Sequence, residues 1–469
     1  MFADEAREIS RLEHSDSPEQ QLQMVVALQR ARLFTLAFTY GSGVAKSSGP
    51  QRLAALETLV RLQEQRQDDF PSMLERLSRE QGLGGLSAFA VERVTWFNAR
   101  IAYRRGLLSQ VVALCEQIPP TSIDFARAQY LMGLALADER LEGGAGRERA
   151  LGVFGRLAEG VDQNQTGAEV VHAQSLLALG RLAYARREWA AATAWYERAA
   201  KLPSVRTTAL FEQSLALLRA GDFARSVALL RTDEVRESGI AEVALTEAMA
   251  LHFSRDATSA EAALTRAAGT APIVDWANAA RGRALEACRT GQGVSPLELK
   301  LARENRRLTR LLASLEGAEN ERRVVSQVES WQHDSTASAF DGYLGQNLET
   351  LRQVADRSCL NEFRNQRAAV DTSRGMAELV GIEVALARRD LDTAIARTES
   401  ALSRLPSKSV PTSEMLFRLM ALKQARAEVL KGAEAEEAHA QVVALLERIV
   451  DGDPAFERLD EARRLLNEP

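Results

Sequence analysis

The stretch LGRLAYARREWAAATAWYERAAKLP, residues 179–203, decides the fold. Leu179-Gly180 stands where two helices touch, because a glycine there allows close backbone approach. Ala192, Tyr196 and Ala199 follow at intervals of four and three, which places them on one stripe of a second helix. A short turn at Arg186-Arg187 separates the two helices, and Pro203 ends the second. The pattern recurs every 34 residues: Trp189, Phe223, Ala257; Ala192, Ser226, Ala260; Tyr196, Leu230, Leu264. Such a period marks a helix–turn–helix unit that stacks on its neighbours, since one unit alone cannot bury its apolar face.

Outward from this stretch, Gly221-Asp222-Phe223 forms the turn of the next unit, whose second helix ends early before Asp233. Ala248, Ala260, Leu264, Ala267 and Pro272 make a third. Upstream, Ala99, Gly106, Val111, Cys115 and Pro119 fit one unit. Gly133, Ala150, Phe154 and Leu157 fit another, with Glu142-Gly143-Gly144-Ala145-Gly146 as a glycine-rich insertion in its turn. Downstream, Ile382, Leu391, Ala394, Ala401 and Pro406 form a unit, and a looser one runs from Leu419 to Pro454 with Gly432 in its turn. In between, the period lapses. Leu301, Leu308 and Leu315 recur every seven residues, which predicts one long amphipathic helix, followed by a polar loop near His333–Ser338. The expected organisation is an N-terminal helical or capping region over 1–90, a repeat array over 91–294, a helical joint over 295–370 and further repeats over 371–469. Divergent repeats over 295–370 are the alternative to a joint.

The set Leu179, Gly180, Ala192, Tyr196, Ala199 and Pro203 resembles the tetratricopeptide consensus of Leu-Gly, Ala, aromatic, Ala and Pro. The resemblance implies an all-α fold, a right-handed α-solenoid of helix–turn–helix repeats. It also implies a groove that holds protein segments, lined from the second, fifth, ninth, twelfth and thirteenth positions of each first helix. Carried onto the units that align, these positions are Arg93, Trp96, Arg100, Tyr103 and Arg104, then Arg127 and Tyr130, then Gln174, Arg181 and Tyr184. Guanidinium and aromatic groups alternate along this stripe, which suits a partner segment of acidic and apolar character. Phe211, Leu215, Leu218, Leu245, Met249 and Phe253 continue the face as apolar positions.

Composition agrees with this class. The 469 residues are 46% hydrophobic but only 6% aromatic, and the net charge of −5 argues against wholesale nucleic-acid binding. Three cysteines, Cys115, Cys288 and Cys359, lie far apart and form neither a disulfide framework nor a zinc pattern, so buried small side chains are expected. No stretch reaches the ~20 apolar residues of a membrane helix. Met24–Phe38 comes nearest, but Gln29, Arg30 and Arg32 interrupt it and one amphipathic helix is expected there. The acidic start, with Asp4, Glu5 and Glu8, is unlike a leader peptide, so the chain as written reads as cytoplasmic. A trimmed export signal would place it in the periplasm or at the outer membrane instead.

Sites for chemistry are hard to assemble from these residues. Tyr40–Gly49 has Lys46-Ser47 but lacks the two defining glycines of a phosphate loop, and is expected to be a flexible loop. The five histidines, at 14, 172, 252, 333 and 439, stand apart from metal-ligand spacing, and His333-Asp334 is a mere neighbour pair. The basic run Lys300–Arg310 lacks interleaved aromatics and contains Glu304, so a solvated helix face is expected. No catalytic residue, cofactor or metal is expected, and the chain reads as a non-enzymatic scaffold for another protein or peptide. The alternative is a dimeric regulator switched through 295–370 along Leu301, Leu308 and Leu315. Ala99–Leu114 and Ile118–Gly133 further resemble bacterial tetratricopeptide proteins of gliding-motility and envelope assemblies, which implies that setting for the partner.

Overall fold

An antiparallel helix pair needs a chain reversal that also satisfies the last carbonyls of the first helix. Among the described residues one turn is used six times. A residue in the left-handed region ends the first helix, and the next N–H reaches back five residues. These bonds run from Leu33 to Leu28, Leu107 to Ala102, Glu188 to Ala183, Asp222 to Leu217, Asp256 to Leu251 and Asp390 to Ala385, each 2.9 Å from donor nitrogen to carbonyl oxygen. This is the Schellman closure of a helix C-terminus. The left-handed residues are Arg32, Gly106, Arg187, Gly221, Arg255 and Arg389, with φ between 59° and 83°. Arg187, Gly221 and Arg255 are 34 residues apart, so the sequence period and the turn coincide.

In the computed structural model, the described residues are 2–13, 15, 17–47, 49–65, 84–240, 242–269, 282–294, 296–328, 331, 336–403, 410–451, 456 and 458–467. Among them the secondary structure is helical, without strands. In chain order the helices are α1 Phe2–Glu13, α2 Pro18–Arg30, α3 Phe34–Ala45, α4 Gln51–Gln65, α5 Ala88–Arg104, α6 Leu108–Glu116, α7 Phe125–Ala137 and α8 Glu139–Glu159. Then come α9 Ala168–Ala185, α10 Trp189–Ala199, α11 Arg206–Ala220, α12 Phe223–Leu230, α13 Asp233–Arg236, α14 Val243–Phe253, α15 Ala257–Gly269 and α16 Arg283–Thr290. The last are α17 Pro296–Glu304, α18 Arg306–Gln327, α19 Thr336–Ala387, α20 Leu391–Leu402, α21 Val410–Ala427, α22 Ala433–Val450 and α23 Leu459–Asn467. The architecture is an all-α solenoid of tetratricopeptide-like helix pairs.

The chain forms two compact units, residues 1–206 with 273–365, and residues 207–272 with 366–469. In the first, two pairs lock by a small residue against a ring. A Cβ placed on Gly180 would come within 2.5 Å of the Tyr196 ring, and one on Gly133 within 2.6 Å of Phe154. The two contacts bridge 16 and 21 residues, and the surplus of five is the Glu142–Gly146 stretch. Expected as a turn, that stretch is helical, because α8 starts at Glu139 and absorbs it. Asp138 supplies the start by accepting the Arg140 N–H at 3.0 Å.

In the first unit, α18, Trp331 and the start of α19 pack on the N-terminal helices. The buried Glu321 carboxylate of α18 accepts the Thr35 N–H at 2.8 Å and the Leu36 N–H at 3.3 Å, capping α3. Trp331 is fully buried and donates its indole N–H to the Ala6 carbonyl at 2.9 Å. Tyr40 meets the rings of Phe340 and Tyr343 at 5.9 and 5.6 Å. In the second unit, Leu245, Leu251, Ala260 and Leu264 of α14 and α15 share a core with Ala377 and Val384 of α19. Arg397 of α20 pairs with Glu261 of α15.

Several expectations are corrected. Met24–Phe38 is two helices, since left-handed Arg32 reverses the chain between α2 and α3. Tyr40 through Ala45 is helix rather than loop, because Gly41, Val44 and Ala45 are buried in the α2–α4 packing. The amphipathic helix over 301–315 breaks at Asn305, whose side chain caps α18 by accepting the Arg307 and Leu308 N–H groups at 3.1 Å each. Residues 336–338, expected in a loop, begin α19. Cys288 and Cys359 are paired as a disulfide, because α16 and α19 bring their Cα atoms to 6.3 Å although 71 residues separate them. Cys115 is the free, buried one. Pro272, His14, His333, Asp334, Pro406 and Pro454 lie outside the described residues.

A left-handed arginine carries a backbone penalty that glycine lacks. Arg187→Gly is therefore expected to raise stability by about 1 kcal/mol. Thermal or denaturant melts check this, and a lowered midpoint contradicts it.

Candidate partner-binding face

The first helices α5, α7 and α9 pack side by side, α5 on α7 and α7 on α9. Ser87 starts α5 by accepting the Ala90 N–H at 3.3 Å. The ten candidate side chains all belong to this one unit, but they divide by burial. Arg93 and Trp96 are buried, Arg100, Arg127, Tyr130, Gln174 and Tyr184 are half-buried, and Tyr103, Arg104 and Arg181 are exposed.

Burial of Arg93 has a specific cause. Its guanidinium donates to the Asp124 carboxylate at 2.5 Å, and Asp124 is fully buried at the N-terminus of α7. Phe89 and Phe97 flank the guanidinium, their ring centres 5.9 and 5.8 Å from it. Arg127 donates to the other Asp124 oxygen at 3.4 Å. Arg93 is thus committed to the interior of the fold, whereas sequence position alone put it on the ligand-facing stripe. Asp124 is the residue that stripe omits. Its one sequence signal is its place ahead of an apolar helix, after Ser122-Ile123.

Arg127 reports the charge around it. Burial pulls its guanidinium below the usual arginine range; Asp124 opposes this, while Arg93, Arg100 and Arg310 add to it. Arg93 and Arg127 share the Asp124 carboxylate, and Arg100 of α5 and Arg310 of α18 act on Arg127 electrostatically. Arg310 comes from the basic run expected to be merely solvated, and no sequence spacing brings position 310 to position 127. Gly167, left-handed at φ 74°, leaves room for Arg127, whose Nε would lie 3.3 Å from an added Cβ.

Aromatic groups adjoin the cluster. The Arg100 guanidinium lies over the Trp96 ring, 5.8 Å from its centre. Burial pushes the Tyr130 phenol up, the charge of Arg181 lowers it, and Tyr103 raises it further. Tyr103, Tyr130 and Arg181, from α5, α7 and α9, are thus within electrostatic reach of one another. Tyr130 also packs against Phe154 of α8, with ring centres 5.6 Å apart. Tyr184 meets Trp189 of its own hairpin edge to face, ring centres 5.0 Å apart. Gln174 is half-buried on α9. Of the apolar continuation in the second unit, Leu218 and Leu245 are core, while Phe253 is 53% exposed and stacks on Phe223 at 5.9 Å.

No described helix is long and apolar enough to cross a membrane. No group of three or more His, Cys, Asp or Glu among the described residues is placed to hold a metal ion. No family model matches the chain, and no curated protein matches it in sequence. Similar solved structures include the apo form of RapI, 13% identical over 95% of this chain and 97% of that one, with a TM-score of 0.30. The P58(IPK) TPR domain is 12% identical over 96% and 98% of the two chains, with a TM-score of 0.19. Naa15/Naa10 bound to HypK-THB is 12% identical over 94% and 82%, with a TM-score of 0.23. None of these scores carries an argument, and the fold rests on the helix pairs themselves.

Removing Asp124 takes away the carboxylate to which the buried Arg93 guanidinium donates. Asp124→Ala is expected to cost about 3 kcal/mol, and Asp124→Leu combined with Arg93→Met to recover most of it. Denaturant melts of the three proteins decide; a neutral single variant contradicts the anchor.

Proposed function

We propose that this chain is a non-enzymatic scaffold whose α5, α7 and α9 face holds an acidic, apolar segment of another protein. One observation carries the proposal: Arg100 and Arg310 act electrostatically on Arg127, Arg100 lies over the Trp96 ring, and Tyr103 and Arg181 act on Tyr130. Guanidinium groups attract carboxylates, and fixed helices present them with little ordering cost to the scaffold. The rings supply apolar area next to the charge, the combination common at binding hot spots. A finer proposal, a partner within a bacterial gliding-motility or envelope assembly, rests only on the likeness of Ala99–Leu114 and Ile118–Gly133.

A dimer through the heptad-like stripe draws no support from the packing. Leu308 and Leu315 are buried in the chain's own core with Leu348, Leu351 and Phe363 of α19.

An acidic peptide with interspersed leucines, titrated into the intact protein by fluorescence anisotropy, is expected to bind more weakly as salt rises. Arg100→Glu with Arg104→Glu is expected to lower affinity by at least about tenfold and to flatten the salt dependence. Unchanged binding by the folded double variant removes this face from the account.

A further inference from the structure

In the second unit, α20, α21 and α22 enclose a cleft of about 430 Å³ that the proposed scaffold role does not use. Its floor is apolar, formed by Leu402, Leu419 and Leu445, the last two buried. Its wall carries Lys423, Gln441 and Arg448.

Lys423 makes the cleft more than an apolar dent. Its side chain is 16% exposed, and its ammonium donates to the Glu399 carboxylate and to the Gln441 side-chain oxygen, both at 2.8 Å. An ammonium has three N–H donors, so one is left for a group in the cleft. Glu399 and Lys423 cancel in charge. Arg448, exposed in the last turn of α22, forms no ion pair with a described residue, so it leaves the rim with a net positive charge.

We infer that this cleft binds a carboxylate carried on a short apolar chain. The carboxylate would accept from the remaining Lys423 donor and from the Arg448 fork, while the chain covers the leucine floor. A volume of this size suits a small ligand. One unmatched guanidinium balances one carboxylate and would leave a phosphate dianion in excess over an apolar floor. Two sources share the chemistry: a free medium-chain acid, and a peptide C-terminus ending in leucine.

The intact protein would be titrated calorimetrically with octanoate, with octanol, and with a short peptide ending in leucine as free acid or amide. Two variants change exposed positions of α22: Ala444→Trp fills the cleft, and Arg448→Glu reverses the rim charge. Circular dichroism confirms that each is folded, and either one alone suffices to judge the site. Saturable binding of octanoate or the free-acid peptide is expected, with its neutral counterpart weaker by about tenfold to a hundredfold. Ala444→Trp is expected to abolish that binding, and Arg448→Glu to weaken it at least about tenfold. The tighter of the two carboxylates identifies the source. Absence of binding by both acids, equal binding of the neutral counterparts, or undiminished binding in either folded variant overturns the inference.

Discussion

The left-handed residue that ends the first helix in six of the described hairpins is the constraint on which the rest depends. It lets one N–H reach back five residues, and so sets the second helix antiparallel to the first over a very short turn. Small residues of one helix then fall opposite rings of the other, as Gly180 does with Tyr196; the α7–α8 pair reaches the like contact of Gly133 with Phe154 through an extended Asp138. A Cβ at either glycine would have to displace an aromatic ring held inside a close-packed layer. Turn and contact support each other: the turn fixes the approach, and the missing side chain permits it. Arginine fills four of the six positions despite its backbone cost, where a cation also gains from the helix C-terminus.

With the pairs fixed, first helices line up and their side chains become a surface. What that surface offers is decided by burial. Asp124 lies in the interior and takes up Arg93, since a buried carboxylate needs a charged, hydrogen-bonding partner. Arg100 and Arg127 remain half-buried, with rings from α5 and α7 beside them. The proposed face is therefore narrower than the stripe that periodicity marks out. Arg310, from a helix far along the chain, acts on it electrostatically through Arg127.

The repeat was legible wherever a unit follows its neighbour directly in sequence. Leu179-Gly180, Tyr196 and the spacing of Trp189, Phe223 and Ala257 all correspond to real contacts or helix starts. Legibility failed where packing is not sequential. Glu321, Trp331 and Phe340 join the N-terminal helices, and no local pattern announces such partners. The Cys288–Cys359 pairing and the Asp124–Arg93 contact were hidden for the same reason. A different failure occurred at Glu142–Gly146, where glycines suggested a turn. Their cost inside a helix is about 1 kcal/mol each, which packing of a 21-residue helix evidently offsets.

The central claim is that the arginines of α5, α7 and α9 meet the partner's carboxylates. The most direct measurement is mass-spectrometric footprinting with an arginine-specific reagent, in the presence and absence of a saturating acidic peptide. The account predicts slower labelling of Arg100, Arg104 and Arg181, with Arg32 and Arg389 at the hairpin turns unchanged. Equal labelling of all five in both states, or protection confined to the turn arginines, would contradict it.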